Sequence, residues 1–122
     1  MRCALIVEDD SRVRTLIGII LETAGYCVDE AANGADALDI LRKRAEPFDL
    51  IILDLRMPQM DGFEFLYRLK RHERSSIPVM VVTADESAGG RAIEFGADAL
   101  LAKPFEQKQF IESVNRLVEK QL

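Results

Sequence analysis

The stretch Phe48-Asp49-Leu50-Ile51-Ile52-Leu53-Asp54 constrains this chain more than any other. Leu50 to Leu53 are consecutive aliphatic residues with no polar face to turn toward water. They stop at a carboxylate, and Leu55-Arg56-Met57-Pro58 follows. A short unbroken apolar run bounded by turn signals reads as a strand covered on both faces, as in a parallel sheet. Asp54 then stands at the carboxyl end of a central strand, the edge of an open α/β sheet where ligand crevices lie. An aspartate in that place also ties down a following turn through its own backbone. Asp54 alone therefore carries two readings, and the other strand ends decide between them.

Ala4-Leu5-Ile6-Val7 is the first apolar run and ends in Glu8-Asp9-Asp10. A helix capped by Asp10 or Ser11 follows, with Val13, Leu16, Ile17, Ile20, Leu21 and Ala24 at helical spacing and Gly25 as its stop. Tyr26 to Ala31 reads as a second strand, and Asp29 and Glu30 make it polar enough to belong at a sheet edge. Asn33-Gly34 turns the chain into a helix carrying Ala35, Leu38 and Leu41, which ends before Pro47. Asp61-Gly62 starts a third helix with Phe63, Leu66 and Leu69 toward the core and Lys70, Arg71 and Arg74 near its end. Val79 to Val82 is a fourth buried strand, ending in Thr83-Ala84-Asp85. The helix expected over Ser87 to Phe95 contains Gly89 and Gly90, each costing about 1 kcal/mol relative to Ala, so this segment is expected to fray or shift. Ala99 to Ala102 forms a fifth strand ending in Lys103-Pro104. The last helix gathers Phe110, Ile111, Val114, Leu117 and Val118 on one face. Strands and helices alternating in this way imply a doubly wound parallel sheet with right-handed crossovers.

Composition narrows the function classes. The 122 residues fit one domain spanning 1–122, with no output domain visible within them, and composition is equally compatible with a stand-alone domain and with a part of a longer protein. A net charge of -5 argues against a direct nucleic-acid surface. No apolar run reaches membrane-spanning length, and no signal peptide opens the chain, so a cytoplasmic location without membrane contact is expected. Cys3 and Cys27 fall in two of the strands without metal-ligand spacing and are expected to be reduced.

Four of the strands end in a chemically distinctive group: Glu8-Asp9, Asp54, Thr83 and Lys103. With the polar second strand at the edge, the order 2-1-3-4-5 brings those ends together. Carboxylates about 4 Å apart repel by roughly 4 kcal/mol per pair at an effective dielectric near 20. Glu8, Asp9 and Asp54 therefore need compensation to share a pocket ionised. Lys103 offsets one charge, alone or with proton sharing among the acids. A hard divalent cation offsets more, and magnesium suits a site with few carboxylates, retained waters and a phosphate oxygen. A metal, a lysine and a hydroxyl are what phosphoryl transfer uses, with Asp54 as nucleophile.

These residues closely resemble those of the response-regulator receiver domain of two-component phosphorelays. The resemblance covers essentially the whole chain. It rests on Val7-Glu8-Asp9-Asp10, Leu53-Asp54-Leu55-Arg56-Met57-Pro58 with Asp61-Gly62, Val82-Thr83-Ala84, Gly96-Ala97-Asp98-Ala99 and Lys103-Pro104-Phe105. It implies a flavodoxin-like five-stranded sheet flanked by five helices. It also implies that Asp54 is the phosphoacceptor, and that Asp9, Asp54 and the backbone carbonyl of Arg56 bind magnesium directly, with Glu8 helping through water. Thr83, Ala84 and Lys103 would contact the phosphoryl group, and the Lys103-Pro104 bond would be cis, although base frequencies alone favour trans. A histidine kinase or histidine phosphotransfer protein would donate the group. The fourth helix, fifth strand and fifth helix would read it out to a target or output domain. On this resemblance the chain is no enzyme toward other substrates, catalysing only its own phosphorylation and dephosphorylation.

Some residues depart from the family pattern or extend it. The position three before the lysine, commonly an inward-turning aromatic that follows the threonine, is Leu100, which leaves at most a smaller aliphatic rearrangement. Arg56 and Asp85 each lie two residues past a strand-end group. They either pair over the phosphoryl group and hinder attacking water, or stand as separately solvated side chains. His72, the only histidine, sits in a charged segment, reads as solvated, and has no place as a phosphodonor. Two other classes share parts of the pattern. Haloacid-dehalogenase-type phosphohydrolases carry a second acid two residues after the nucleophile, where this chain has Arg56. A receiver that binds partners without phosphorylation would not need Glu8, Asp9, Asp54, Thr83 and Lys103 together.

Overall fold

The computed structural model describes residues 1–57, 60–73 and 75–120, with the side chains of His72 and Glu86 excepted. The solvated reading of the His72 side chain and the placement of Arg74 lie outside the described residues, as does Pro58. Among the described residues the chain runs β1 (Cys3–Val7), α1 (Ser11–Thr23), β2 (Cys27–Ala31), α2 (Gly34–Lys43), β3 (Leu50–Leu53), α3 (Gly62–Tyr67), β4 (Val79–Thr83), α4 (Glu86–Glu94), β5 (Ala99–Ala102) and α5 (Gln107–Glu119). The strands form one sheet in the order β2-β1-β3-β4-β5, and every neighbouring pair is parallel. Both the order and the polar edge strand match the expectation from sequence.

Period-two alternation sorts the strand side chains into two cores. Leu5, Val7, Ile51, Leu53, Val79 and Val81 face one side, where α2, α3 and α4 contribute Leu38, Phe65, Leu66 and Ala92. Ala4, Ile6, Leu50, Ile52, Met80 and Val82 face the other, against Ile17 and Leu21 of α1 and Phe110 and Val114 of α5. β1, β3 and β4 carry unbroken apolar runs and are covered on both faces. Their carboxyl ends therefore leave the packed core side by side.

Local sequence sets the element boundaries. Asp10 caps α1 by accepting from the amides of Arg12 and Val13, so it serves the helix. Asn33 caps α2 through the Asp36 amide, and Asp61 caps α3 through the Glu64 amide. Beyond Ala24, Gly25 takes φ +95°, and the Tyr26 amide reaches back to the Leu21 carbonyl to close the helix end.

Several expectations are revised. Leu16 is 51% exposed, because α1 lays only the Ile17, Ile20 and Leu21 side on the sheet. The third helix changes at Tyr67 into a wider π-type turn over Arg68–His72. The cysteines are not two separate thiols: Cys3 and Cys27 are register partners at the start of β1 and β2, with Cα atoms 4.4 Å apart, and are joined by a disulfide. Strand assignment alone does not reveal a register, which is why the pairing was not visible in the sequence.

Candidate functional site

The carboxyl ends of β1, β3, β4 and β5 converge as the strand order requires. Glu8 follows β1 directly, and its amide donates to the Ala31 carbonyl of β2 at 3.1 Å. Asp54 follows β3, with its amide on the Val7 carbonyl at 3.0 Å. Both side chains are buried, while Asp9 beside them is exposed. Oxygens of Glu8, Asp9 and Asp54 all lie within 4.8 Å of one another.

From the end of β5, Lys103 Nζ reaches Glu8 Oε1 at 2.7 Å and Asp54 Oδ2 at 3.6 Å. The Lys103 amide donates to the Thr83 carbonyl at 2.9 Å, and the Lys103-Pro104 bond is cis. Burial of Lys103 opposes its charge, but the Glu8 hydrogen bond and the Asp54 charge outweigh burial and raise its pKa. Burial, followed by the proximity of the Asp54 carboxyl, raises Glu8 to about 7 against the pull of Lys103. Glu8 Oε2 is buried with no hydrogen-bond partner among the described residues.

Asp54, Arg56, Thr83, Ala84, Asp85 and Lys103 line one open cavity of about 600 Å³. Thr83 is buried, and its Oγ1 accepts from the Asp85 amide at 3.2 Å, which leaves the hydroxyl hydrogen to donate elsewhere. Along the cavity lining, Arg56 Nη2 meets Asp85 Oδ2 at 2.8 Å. Asp85 is held low, at about 2, first by the Ser87 hydroxyl and then by Arg56. A second cavity of about 690 Å³, lined by Asp9, Phe63 and Arg91 among others, shares Arg56 and Asp85 with the first. The Arg56–Asp85 ion pair therefore borders both cavities. Leu100 lies elsewhere, 40% exposed, and lines a small apolar cavity with Thr83 and Gly89.

Two supporting residues were not singled out for the site from sequence. Arg14 Nη1 donates to the Glu8 carbonyl at 2.7 Å while its Nε pairs with Glu30, bracing the β1–α1 loop. Its helical position beside a polar edge strand was the available signal. In the sequence Gly62 marks a helix start and belongs to the motif that carries the family resemblance, but its close approach to the Asp54 backbone is not visible there. A Cβ there would stand 2.5 Å from Leu55 Cα and 2.7 Å from the Asp54 carbonyl oxygen, so a side chain at 62 would displace the backbone that carries Asp54.

The family model for the response regulator receiver domain matches residues 4–115. The chain belongs to the response regulator receiver domain family. It is 38% identical, over 95% of its length, to the DNA-binding dual master transcriptional regulator RpaA of Synechocystis sp.. It is 34% identical, again over 95%, to the transcriptional regulatory protein ResD of Bacillus subtilis. In both cases it spans 48% of the relative, so it corresponds to about half of such a regulator. The solved chemotaxis protein CheY4 of Vibrio cholerae superposes with a TM-score of 0.86 at 31% identity, covering 96% of this chain and 98% of that one.

Receiver family membership implies a magnesium ion beside the Glu8, Asp9 and Asp54 carboxylates. The donor set fits one: hard carboxylate oxygens are gathered from two strand ends, and one buried oxygen has no protein partner.

Proposed function

We propose that this chain is a phosphoacceptor module, taking a phosphoryl group onto Asp54 from a phosphohistidine of a histidine kinase or histidine phosphotransfer protein. The observation that carries this reading is the convergence of Asp54, Thr83 and Lys103 on one cavity beside the Glu8–Asp9–Asp54 carboxylates. An Asp54 oxygen attacks phosphorus, the P–N bond to the donor imidazole breaks, and an acyl phosphate forms on Asp54. Lys103 keeps its proton and presents it to a phosphoryl oxygen. The Thr83 hydroxyl and the Ala84 amide donate to the others, so that developing charge meets prepositioned donors. Asp9, Asp54 and the Arg56 carbonyl would hold Mg2+ directly, with Glu8 acting through water. The ion would supply charge neutralisation for the carboxylates and the phosphoryl oxygens. Beyond this self-phosphorylation and its reversal by water, we assign no catalysis.

Arg56 and Asp85 modulate the lifetime of the product. Their ion pair at 2.8 Å borders the cavity that holds Asp54, and there it hinders the attack of water on phosphorus. Readout runs through Thr83, Leu100 and the surface of α4, β5 and α5 to a downstream target or an output domain, in the cytoplasm, with neither nucleic acid nor membrane contacted by residues 1–122. The intervals between the strand-end groups and Arg56 two residues after Asp54 both weigh against a phosphohydrolase.

Incubation with acetyl phosphate, with and without Mg2+, followed by intact mass measurement tests the reading. A Mg2+-dependent gain of one phosphoryl group that Asp54→Ala abolishes supports it. No gain under any condition overturns it in favour of a phosphorylation-independent binding module, and turnover of many phosphoesters without a lasting adduct overturns it in favour of a hydrolase.

A further inference from the structure

Cys3 and Cys27 occupy the amino ends of β1 and β2, at the opposite end of the sheet from Glu8 and Asp54. We propose that they form a reversible dithiol–disulfide site, closed by exchange with a low-molecular-weight disulfide of the glutathione class. The placement of the two residues does not depend on the sulfur–sulfur bond. The Cys3 amide donates to Asp49 Oδ2 at 2.8 Å and the Cys27 amide to the Arg2 carbonyl at 2.8 Å. The whole β1–β2 ladder, from Cys3↔Cys27 to Val7↔Ala31, holds the register. A Cα separation of 4.4 Å falls within the range a disulfide spans. The reduced chain therefore keeps its sulfurs poised, and both residues are half-buried, within reach of a small thiol reagent.

The surroundings distinguish the two sulfurs. Arg44 Nη2 lies 4.0 Å from Cys27 Sγ. Its guanidinium is fixed by Asp29 Oδ2 at 3.0 Å, the Glu46 carbonyl at 2.8 Å and the face of Phe48 at 4.1 Å. A held cation beside a thiol favours the thiolate, which is the attacking species in exchange. Asp29 opposes this charge but is itself engaged by the same guanidinium. Cys27 thus attacks first and Cys3 resolves. The Cys27 thiolate attacks one sulfur of the small disulfide, whose S–S bond breaks to release one small thiolate and leave a mixed disulfide on Cys27. Cys3 gives its proton to solvent and attacks Cys27 Sγ, expelling the second small thiolate. Two protein thiols lose two electrons in total, and one small disulfide is reduced to two thiols.

The closed bond ties the edge strand to the sheet and encloses α1, across a sequence separation of 24. It restricts the unfolded chain, so the bridged form is expected to melt higher by roughly 10 °C. The Asp54 chemistry at the far end of the sheet is expected to be unchanged.

The test equilibrates the full chain in buffers of increasing oxidised-to-reduced glutathione ratio, quenches with an alkylating reagent, and reads intact mass. Expected is a shift from doubly alkylated protein to a bridged form without glutathione, reversed by dithiothreitol. Expected too is faster accumulation of the glutathione adduct in Cys3→Ser than in Cys27→Ser, with circular dichroism showing both variants folded. Double alkylation at every ratio, or adducts that never resolve to a bridge, overturns the site. Equal adduct rates in the two variants overturn the assignment of Cys27 as the attacking sulfur. Magnesium-dependent phosphorylation by acetyl phosphate is read in a parallel incubation of the same protein at a different mass, so failure of this site and failure of the Asp54 reading are separately visible.

Discussion

Lys103 reaches Glu8 at 2.7 Å across 95 residues of chain, drawing the ends of the first and last strands together over Asp54. Glu8 nevertheless titrates at about 7, because burial and Asp54 outweigh the lysine. The folded chain thus binds a proton at Glu8 more readily than the unfolded chain does. This contribution to stability is complete below about 4.5, where the unfolded carboxyl is protonated too, and is lost as pH rises through about 7. A metal ion bound there would reverse the preference, since it would favour the ionised carboxylate. We expect the thermal midpoint without metal to fall between these pH values relative to Glu8→Gln. We also expect Mg2+ affinity, measured by calorimetry, to weaken as pH drops below 7 with proton release on binding. The same pH slope in Glu8→Gln would assign the effect to another group.

The Arg56–Asp85 pair gives a kinetic expectation rather than a stability one. Arg56 is 79% exposed in its side chain, and exposed pairs add little to folding. In the proposed role, however, the pair hinders the approach of water to phosphorus. Once phosphorylated, Arg56→Ala is expected to lose its phosphoryl group faster by a factor of about two to five, the size of an exposed coupling. Asp85→Asn, which keeps an oxygen for the Ser87 and Ala88 amides that Asp85 caps, is expected to accelerate loss similarly. The double variant should be no faster than either single one. An unchanged rate in Arg56→Ala leaves the pair as surface decoration.

What the sequence disclosed and what it hid follow from range. The runs Leu5–Val7, Leu50–Leu53 and Val79–Val82 announce buried strands because period and burial are local properties, and the polarity of Asp29 and Glu30 marks the edge. From these the strand order follows, and with it the meeting of Asp54, Thr83 and Lys103. Register is not local. Whether Cys3 opposes Cys27 depends on how α1 returns the chain, and the strand pattern is equally satisfied by a shift of two residues. The close approach of Gly62 to Leu55 is hidden for the same reason, since it arises from the path of the β3–α3 connection. Leu16 shows the limit of periodicity: helical spacing identifies an apolar stripe but not how much of it the sheet covers.

Two glycine-to-alanine substitutions should act with opposite sign. At Gly62 the new Cβ meets backbone on both near contacts, the Leu55 Cα at 2.5 Å and the Asp54 carbonyl at 2.7 Å, neither of which can rotate away. Gly62→Ala is expected to cost about 1–3 kcal/mol in denaturant unfolding, as overpacking does, and to slow phosphorylation because the strained segment carries Asp54. At Gly90, inside α4, nothing lies within 4 Å of the new Cβ. Gly90→Ala is expected to stabilise by about 0.5–1 kcal/mol through helix propensity. A neutral Gly62→Ala would show that the loop relaxes freely and does not position the nucleophile.

Gly89 tests the route from Thr83 to the surface. It is buried in α4, and a Cβ there would stand 3.2 Å from Leu100 Cδ1, so the glycine makes the notch that seats the leucine. The apolar cavity of about 260 Å³ beside it is bounded by Thr83, Leu101 and Ala102, which leaves space beside Leu100 for the proposed aliphatic rearrangement. In Gly89→Ala, helix propensity offers about 1 kcal/mol, and the crowded contact, being the tip of a flexible side chain, takes part of it back. Net stability should therefore change little while the leucine is displaced. Leu100 methyl resonances are expected to shift on phosphorylation of the unsubstituted chain, and those of Gly89→Ala to start displaced before any phosphoryl group is added. Leu100 methyls that ignore phosphorylation would end the aliphatic version of the switch, and the surface change would then have to travel through α4 directly from the Thr83–Asp85 turn.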